Sequence, residues 1–242
     1  MPHFSYTVDN GIVTLTMDSG ENRFNPFFLK EYSSVLDAIE TEDAQVMVVT
    51  SAHQHIFSTG IDLDWVLPVL RSRDTQSFYD YLSLMNSLMK RLTLFPLFTI
   101  AAINGHAFAG GAVLSCCFDF RFMQTGRGYF CLPEIDLGVP FLPGMVAVLK
   151  KAMPMDALEE LQYTGKRFTA EECAARRIIH AACPPSGLMD TAMAFASNLR
   201  KRRNVIAEMK RVMYRDVLRA IDEEDPVKIE QGWHEWFTNI VP

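Results

Sequence analysis

No apolar run in the 242 residues is long enough to cross a membrane. Positive charge does not dominate either. There are 23 Lys and Arg against 29 Asp and Glu, a net charge of −6, which argues against a general nucleic-acid binder. An anionic small molecule needs only a few local cations and stays open. The five cysteines, at 116, 117, 131, 173 and 183, form no C-x-x-C pair and have no histidine partner at zinc spacing. Free thiols in a reducing cytoplasm are therefore expected. Residues 1–9 are polar and alternating, unlike a secretory signal, and the closing Asn239-Ile240-Val241-Pro242 matches no sorting tag. Low-complexity tracts and repeats of fixed period are missing too. What remains is a chain that is 49% apolar, enough for one large domain or a domain with a helical appendix.

Short-range signals give an α/β chain. The alternating stretches 4–8 and 12–17 flank Asn10-Gly11, a type I′ hairpin signal. Phe28, Leu29, Tyr32, Val35, Leu36 and Ile39 fall on one side of a helix, and 46–50 reads as a short buried strand. A helix is expected over 74–94, stopped by Pro96, then a strand over 97–103 and shorter strands at 119–123 and 129–131. From Gly144 onward the pattern is nearly all helical: 145–153, 155–163, 169–177 with a Thr169/Glu172 capping box, 187–202, 205–221 and 227–237. Pro184-Pro185-Ser186-Gly187 is the clearest break, so a core over 1–185 and a helical region over 186–242 are expected. That region carries Met209, Met213, Tyr214, Trp233, Trp236 and Phe237, apolar surface that must dock on the core or on another subunit.

Chemistry concentrates between Ile103 and Gly144. The small-residue turn Asn104-Gly105-His106-Ala107-Phe108-Ala109-Gly110-Gly111 follows the apolar strand and runs into a buried helix at Ala112–Cys117. Its glycines let the backbone approach a ligand closely, and amides at a helix N-terminus suit a negative oxygen. Phe57 to Gly60 is a second place where amides turn outward. Glu134 sits in an apolar loop, Leu132-Pro133-Glu134-Ile135, ahead of a helix starting at Pro143. Burial among Leu132, Ile135 and Leu137 would raise its pKa into the range of a useful base. Oxyanion-binding amides beside one carboxylate imply proton abstraction next to a carbonyl. Other candidates have plainer roles. Asp62 fits a cap at a helix start near Leu63 better than a catalytic acid, and His106 fits a packed, hydrogen-bonded histidine. Cys116 and Cys117 fit small core residues. The cations at 200–203, with Lys210 and Arg211, fit a solvated helix face.

Three blocks taken together carry a resemblance: Phe57-Ser58-Thr59-Gly60-Ile61-Asp62-Leu63, then Ala102-Ile103-Asn104-Gly105-His106-Ala107 through Gly110-Gly111, then Pro133-Glu134-Ile135-x-Leu137-Gly138. In order and spacing they resemble the crotonase (enoyl-CoA hydratase/isomerase) superfamily, over nearly the whole chain. The resemblance implies an α/β spiral of ββα units with a C-terminal helical region that trimerises, often into dimers of trimers. It implies a coenzyme A thioester as substrate, no separate cofactor, and a thioester oxygen held by the backbone amides of Ile61 and Gly110. Ser58, Thr59, Gly60, Asp62 and Leu63 match the stretch that contacts the CoA adenine. Arg23 matches a position near the pyrophosphate in some relatives, and one or two cations of 200–211 would reach the phosphates, across a subunit boundary if need be.

Hydratases of this superfamily carry two glutamates. Here the first position is Val113, which cannot transfer a proton, and the second is Glu134. One base without a second carboxylate resembles the delta-3, delta-2-enoyl-CoA isomerases, most of all the short plant type, as do Arg23-Phe24-x-Pro26, Asp62-x-x-Trp65 and Glu134-Ile135-Asp136-x-Gly138. The turn Phe108-Ala109-Gly110-Gly111 departs from that subfamily and follows the broader one. Hydratase, hydrolase or lyase chemistry with Asp62 as partner stays open, as does acyl-CoA binding without chemistry. Chain length is expected to depend on walls from the helix around 66–90. The aromatics Phe78, Tyr81 and Phe108 are open between acyl pocket and core.

Overall fold

The computed structural model describes residues 3–240, so Met1, Pro2, Val241 and Pro242, which belong to the terminal stretches read for targeting signals, lie outside the described residues. The chain opens as the expected hairpin. Strands β1 (Phe4–Asp9) and β2 (Ile12–Met17) pair antiparallel across Asn10 and Gly11, both at positive φ as a type I′ turn demands. After a two-residue strand β3 (Arg23–Phe24), helix α1 (Pro26–Thr41) starts where Asn25 accepts a hydrogen bond from the Phe28 amide and Pro26 presets the first turn. It buries Phe28, Leu29, Tyr32, Leu36 and Ile39, the stripe expected from their spacing.

The next three units repeat one pattern. β4 (Val46–Ser51) leads to β5 (Ile56–Ser58), β6 (Gly60–Ile61) and helices α2 (Leu63–Arg71) and α3 (Thr75–Thr93). β7 (Phe98–Ile103) leads to β8 (His106–Phe108) and α4 (Gly110–Cys117). β9 (Phe120–Gln124) leads to β10 (Phe130–Cys131) and the single turn α5 (Glu134–Leu137). The long strands join a six-stranded sheet, order β1-β2-β4-β7-β9-β11, parallel from β2 onward; the short ones form a second sheet, order β10-β8-β5, and a β3-β6 pair. Strand order follows chain order in both sheets, so each ββα unit advances one step along a spiral. This is the α/β crotonase-like architecture expected from the resemblance.

Parallel sheets need cover on both faces, and the side-chain alternation supplies it. Met47 and Val49 face one core with Leu15, Ala101 and Met123. Val46 and Val48 face the other with Ile100, Ala102 and Phe122. The first core is closed by α1, α3, α4, α6 (Pro143–Ala152) and α7 (Met155–Thr164). Beyond them, α8 (Ala170–Ala175) starts at the expected capping box. The second core is closed by Leu188, Ala192 and Ala196 of α9 (Leu188–Ala196), a helix from the 186–242 region. Strand β11 (Ala181–Cys183), absent from the sequence reading, extends the sheet by pairing with β9.

The long C-terminal helices expected from periodicity are shorter and broken. The expected helix over 205–221 becomes α10 (Arg203–Met213), α11 (Arg215–Arg219) and a π-turn at Ala220–Glu224. The expected 227–237 helix becomes α12 (Asp225–Glu230) and a 3-10 segment, Trp233–Ile240. Tertiary demand causes the breaks. Buried Asp225 accepts bonds from the Gly144 amide (2.7 Å) and Asn86 Nδ2 (2.9 Å), which ties the C-terminal segment to α6 and α3. Among the described residues, no helix is long and apolar enough to cross a membrane.

Candidate active site

Two tight backbone turns are pressed together. Gly60, at φ 79°, ends the 57–60 turn and presents Ile61. A methyl group built on Gly60 would stand 2.4 Å from Gly110 N, and one on Gly111 would stand 2.1 Å from Ser58 O. Both positions require glycine because backbone occupies the space. A methyl on Gly110 would lie 3.4 Å from Ile61 N, so these two amide-bearing residues are neighbours. The Asp62 amide donates to the Phe24 carbonyl at 3.0 Å. Donors alternate along a parallel strand, so the Ile61 N–H faces away from β3. Gly110 is the first residue of α4, where an N–H has no acceptor within its helix.

Ala109 sets the direction of that second amide. Its φ of 51° and ψ of −126° are strained for a residue with a β-carbon, and they rotate the 109–110 peptide. Neighbouring bonds hold the strain in place: Ala109 N–H donates to the Cys131 carbonyl, and its own carbonyl accepts from Ala112 and Val113. At the other end of α4, Lys151 Nζ donates to the carbonyls of Cys116, Cys117 and Phe118, a cation where the helix dipole favours one. The buried thiols of Cys116 and Cys117 are free, as expected of small core residues.

Glu134 does not sit in an irregular loop but opens the one-turn helix α5, whose Pro133 carbonyl accepts from Asp136 and Leu137 and which Gly138 ends at φ 71°. Its Oε2 is wholly enclosed and has no hydrogen-bond partner. Burial pushes its pKa up from 4.5 to about 8, against a smaller lowering from a backbone N–H. The direction and the cause, burial, are as expected, and of the expected neighbours Leu137 lines the same cleft. Ile135 is 53% exposed, and the enclosing wall comes from Phe108, Pro133, Leu137, Val139 and Phe141.

Glu134, Ile61 and Gly110 meet in one apolar cleft of about 810 Å³, including its open mouth. Thr59, Leu63 and Phe108 from the candidate set also line it, and the Thr59 hydroxyl is buried there without a partner. The other candidates stand outside this lining. Gly60 packs behind Gly110. The Ser58 hydroxyl donates to the Asn22 carbonyl, and Asn22 itself bonds the Phe57 carbonyl and Ser51, pinning the turn from behind. Asp62 occupies the cap position of α2 without a side-chain cap bond; it accepts from Asn25 instead. Arg23 is engaged by Glu21 and Asp64. Val113 faces a smaller apolar cavity behind Gly110, lined by Phe24, Leu29, Met85 and Met89. His106 is part-buried and accepts from the Tyr129 amide through Nδ1; burial lowers its pKa, with Arg167 adding to the effect.

Met145, Trp233 and Phe237 also line the cleft, whereas Met85, Leu88 and Met89 of the 66–90 stretch line the smaller adjoining cavity that shares Gly110 and Met145 with it. The C-terminal residues are an addition to the walls expected from those helices. Phe78 and Tyr81 are buried in the core, with Trp233 and Phe237 of the C-terminal segment packed against Phe78. The apolar load of that segment was the available signal. Lys210 also departs from expectation: it is buried, paired with Asp119 at 2.7 Å and donating to the carbonyls of Phe95 and Leu97. Among the described residues, no group of three or more His, Cys, Asp or Glu side chains is disposed to hold a metal ion.

Comparisons with known proteins agree with this fold. The sequence profile of the enoyl-CoA hydratase/isomerase family matches residues 7–239. Enoyl-CoA delta isomerase 3 of Arabidopsis thaliana is 28% identical over 218 residues, 87% of this chain and 91% of its own length. A putative enoyl-CoA hydratase of Thermus thermophilus is 30% identical over 200 residues, 80% of this chain and 77% of its own. The crystal structure of a probable enoyl-CoA hydratase from Mycobacterium tuberculosis superposes with a TM-score of 0.86 at 25% identity, over 96% of this chain and 98% of that one.

Proposed function

Since the chain belongs to the enoyl-CoA hydratase/isomerase family, we propose that it acts on acyl-CoA thioesters and moves an enoyl double bond from position 3 to position 2. One observation carries this reading: a single carboxylate with an unpaired, enclosed oxygen shares an apolar cleft with two neighbouring backbone amides. Glu134 removes a proton from C2 of the 3-enoyl thioester. The electron pair delocalises through C1–C2 onto the thioester oxygen, which accepts from the Ile61 and Gly110 amides, and through C2–C3 to C4. Each such donor lowers the barrier by about 2.7–4 kcal/mol. Protonated Glu134 then returns the proton at C4; the 3,4 double bond is consumed and the 2,3 double bond forms. The proton and electron count is unchanged, as an isomerisation requires.

Val113 supports isomerase over hydratase. Adding water calls for a second proton-transfer group beside the oxyanion amides, and the side chain there is aliphatic and turned into the core. Asp62, the alternative partner, is outside the cleft lining and held by Asn25. The test is to supply purified protein with a 3-enoyl-CoA and, separately, a 2-enoyl-CoA. Conjugated 2-enoyl product from the first and no hydroxyacyl-CoA from the second is the expected result. Hydration of the second, or no turnover of the first, rejects the reading.

Assembly is part of the same proposal. Val205, Met209, Val212 and Met213 of α10 are 48–63% exposed, an apolar face suited to a trimer or a dimer of trimers. Light scattering after gel filtration reads this directly, and a monomer refutes it. Five buried free thiols fit a cytoplasmic, reducing setting.

A further inference from the structure

Trp233 stands between two spaces. On one side is the cleft that holds Glu134. On the other is a surface groove between α6, α11 and the C-terminal segment, with Val146, Ala147, Ala220 and Trp236 along it and charged groups such as Lys150 and Glu224 among its walls. Pro140, Phe141 and Trp233 line both spaces, so the two are separated by little more than these side chains. Trp233 is the largest of them, and it is fixed. Its Nε1–H donates to the Pro140 carbonyl at 3.1 Å, its ring stacks on Phe78 at 6.4 Å, and Phe237 meets it edge-on at 5.0 Å. The indole is 6% exposed. A ring braced from three sides does not swing aside at small cost.

We propose that Trp233 is the partition that limits acyl length: the substrate is an acyl-CoA whose tail ends against the indole, and longer tails are refused because their route into the groove is closed. This rests on the acyl-CoA reading above and names the tail that the site takes. The cleft is almost wholly apolar along this wall, so a tail gains free energy for each methylene it buries, about fourfold in affinity. That gain stops where the wall stands. Beyond it a longer tail must fold back or leave the cleft, and affinity stays flat or falls. Removing the indole joins cleft to groove, where Val146, Ala147, Ala220 and Trp236 offer apolar surface between the charged side chains.

Saturated thioesters test the partition without requiring turnover. The probes are butanoyl-, hexanoyl-, octanoyl-, dodecanoyl- and hexadecanoyl-CoA, with dissociation constants measured by calorimetry. For the wild type, affinity rises along the series and then levels or drops. In Trp233→Ala the rise continues to dodecanoyl- or hexadecanoyl-CoA, with at least tenfold tighter binding of the longest tail and little change for butanoyl-CoA. Trp233→Leu, which keeps apolar bulk, guards against misfolding of the alanine variant; it shifts the break-point in the same direction by less. Trp236→Ala, on the groove side, leaves the wild-type series unchanged and weakens hexadecanoyl-CoA only when combined with Trp233→Ala. An unmoved break-point in both folded Trp233 variants overturns the proposal while leaving the thioester site intact. So does a loss of long-tail binding in Trp236→Ala alone. If no thioester of any length binds the wild type, the acyl-CoA reading fails and this inference falls with it.

Discussion

The two walls of the cleft are made of different material. On one side, the 58–61 and 109–111 segments meet backbone to backbone, and the groups proposed to act there are amides. On the other, the lining is side chains: Glu134, the proposed base, and with it Phe141, Met145, Trp233 and Phe237. A wall of main chain is damaged by adding atoms, because no space is left between the turns. A wall of side chains is damaged by taking atoms away or by changing their charge. The same difference decides what each wall writes into the sequence. The first demands glycine at fixed places, whereas the second asks only for apolar bulk brought in from distant parts of the chain.

The largest expected effect lies on the side-chain wall. Glu134→Gln keeps the shape and removes the base, so turnover of a 3-enoyl-CoA should fall by about 10²–10⁴. Stability should move the other way. The folded wild type holds the Glu134 proton up to about pH 8, whereas an ordinary carboxyl loses it near 4.5. Between these values the unfolded state binds fewer protons than the folded one, so the folded protein loses stability as pH rises, and the loss is complete above pH 8. Above that pH, the Glu134→Gln variant should be the more stable protein by about 1–3 kcal/mol, read from denaturant melts. A variant that is inactive and also less stable would mean that Glu134 has a structural partner after all.

Adding one methyl to the opposite wall comes next. In Gly60→Ala the new carbon would sit 2.4 Å from Gly110 N, at a backbone φ of 79°. Overpacking costs about 1–3 kcal/mol, and the left-handed conformation adds about 1–2. Whatever folded protein remains should also have lost amide alignment, with kcat down by about 10²–10³ and KM changed less. Thermal melts and kinetics together check this; a variant with wild-type kcat would show that the turns need not touch.

The pH profile separates the two walls by a smaller effect. Amides do not titrate in the working range, so only the Glu134 side should appear. With a pKa near 8, kcat/KM should fall about tenfold per pH unit below that point and level off above it. A profile flat down to pH 6 would show that the free enzyme's Glu134 is already ionised there and that its carboxyl is not held near 8.

The main-chain wall was also the legible one. Gly60, Gly110 and Gly111 stand next to apolar strands in a spacing that only a turn can use, and Asn10-Gly11, Thr169/Glu172 and Pro143 marked their elements as clearly. Strands of two or three residues such as β3, β6 and β11 carry no period to detect, so they escaped. The breaks at Tyr214 and Ala220 escaped for another reason. No Gly or Pro marks them, and what bends the chain is Asp225 reaching Gly144 and Asn86, residues 81 and 139 positions away. Lys210 looked like a surface cation because its partners, Asp119 and two carbonyls, are distant in sequence. Trp233 and Phe237 announced that they must dock, but their distance from Glu134 along the chain hid where.

Ala109 gives the smallest effect and the sharpest test of how the main-chain wall is held. It is the one residue of that wall with a β-carbon in a conformation that disfavours one, φ 51° and ψ −126°. Relief of that strain in Ala109→Gly is worth about 1–2 kcal/mol. Against it stands the greater freedom of glycine in the unfolded chain, about 0.5–1 kcal/mol. The difference favours the variant by about half a kcal/mol, a slight rise in melting temperature. Activity should not rise with it. If the Cys131 carbonyl and the α4 start hold the 109–110 peptide in place, the Gly110 amide keeps its aim and kcat stays within about threefold. A fall of tenfold or more with stability preserved would mean that the methyl of Ala109 itself locks the turn.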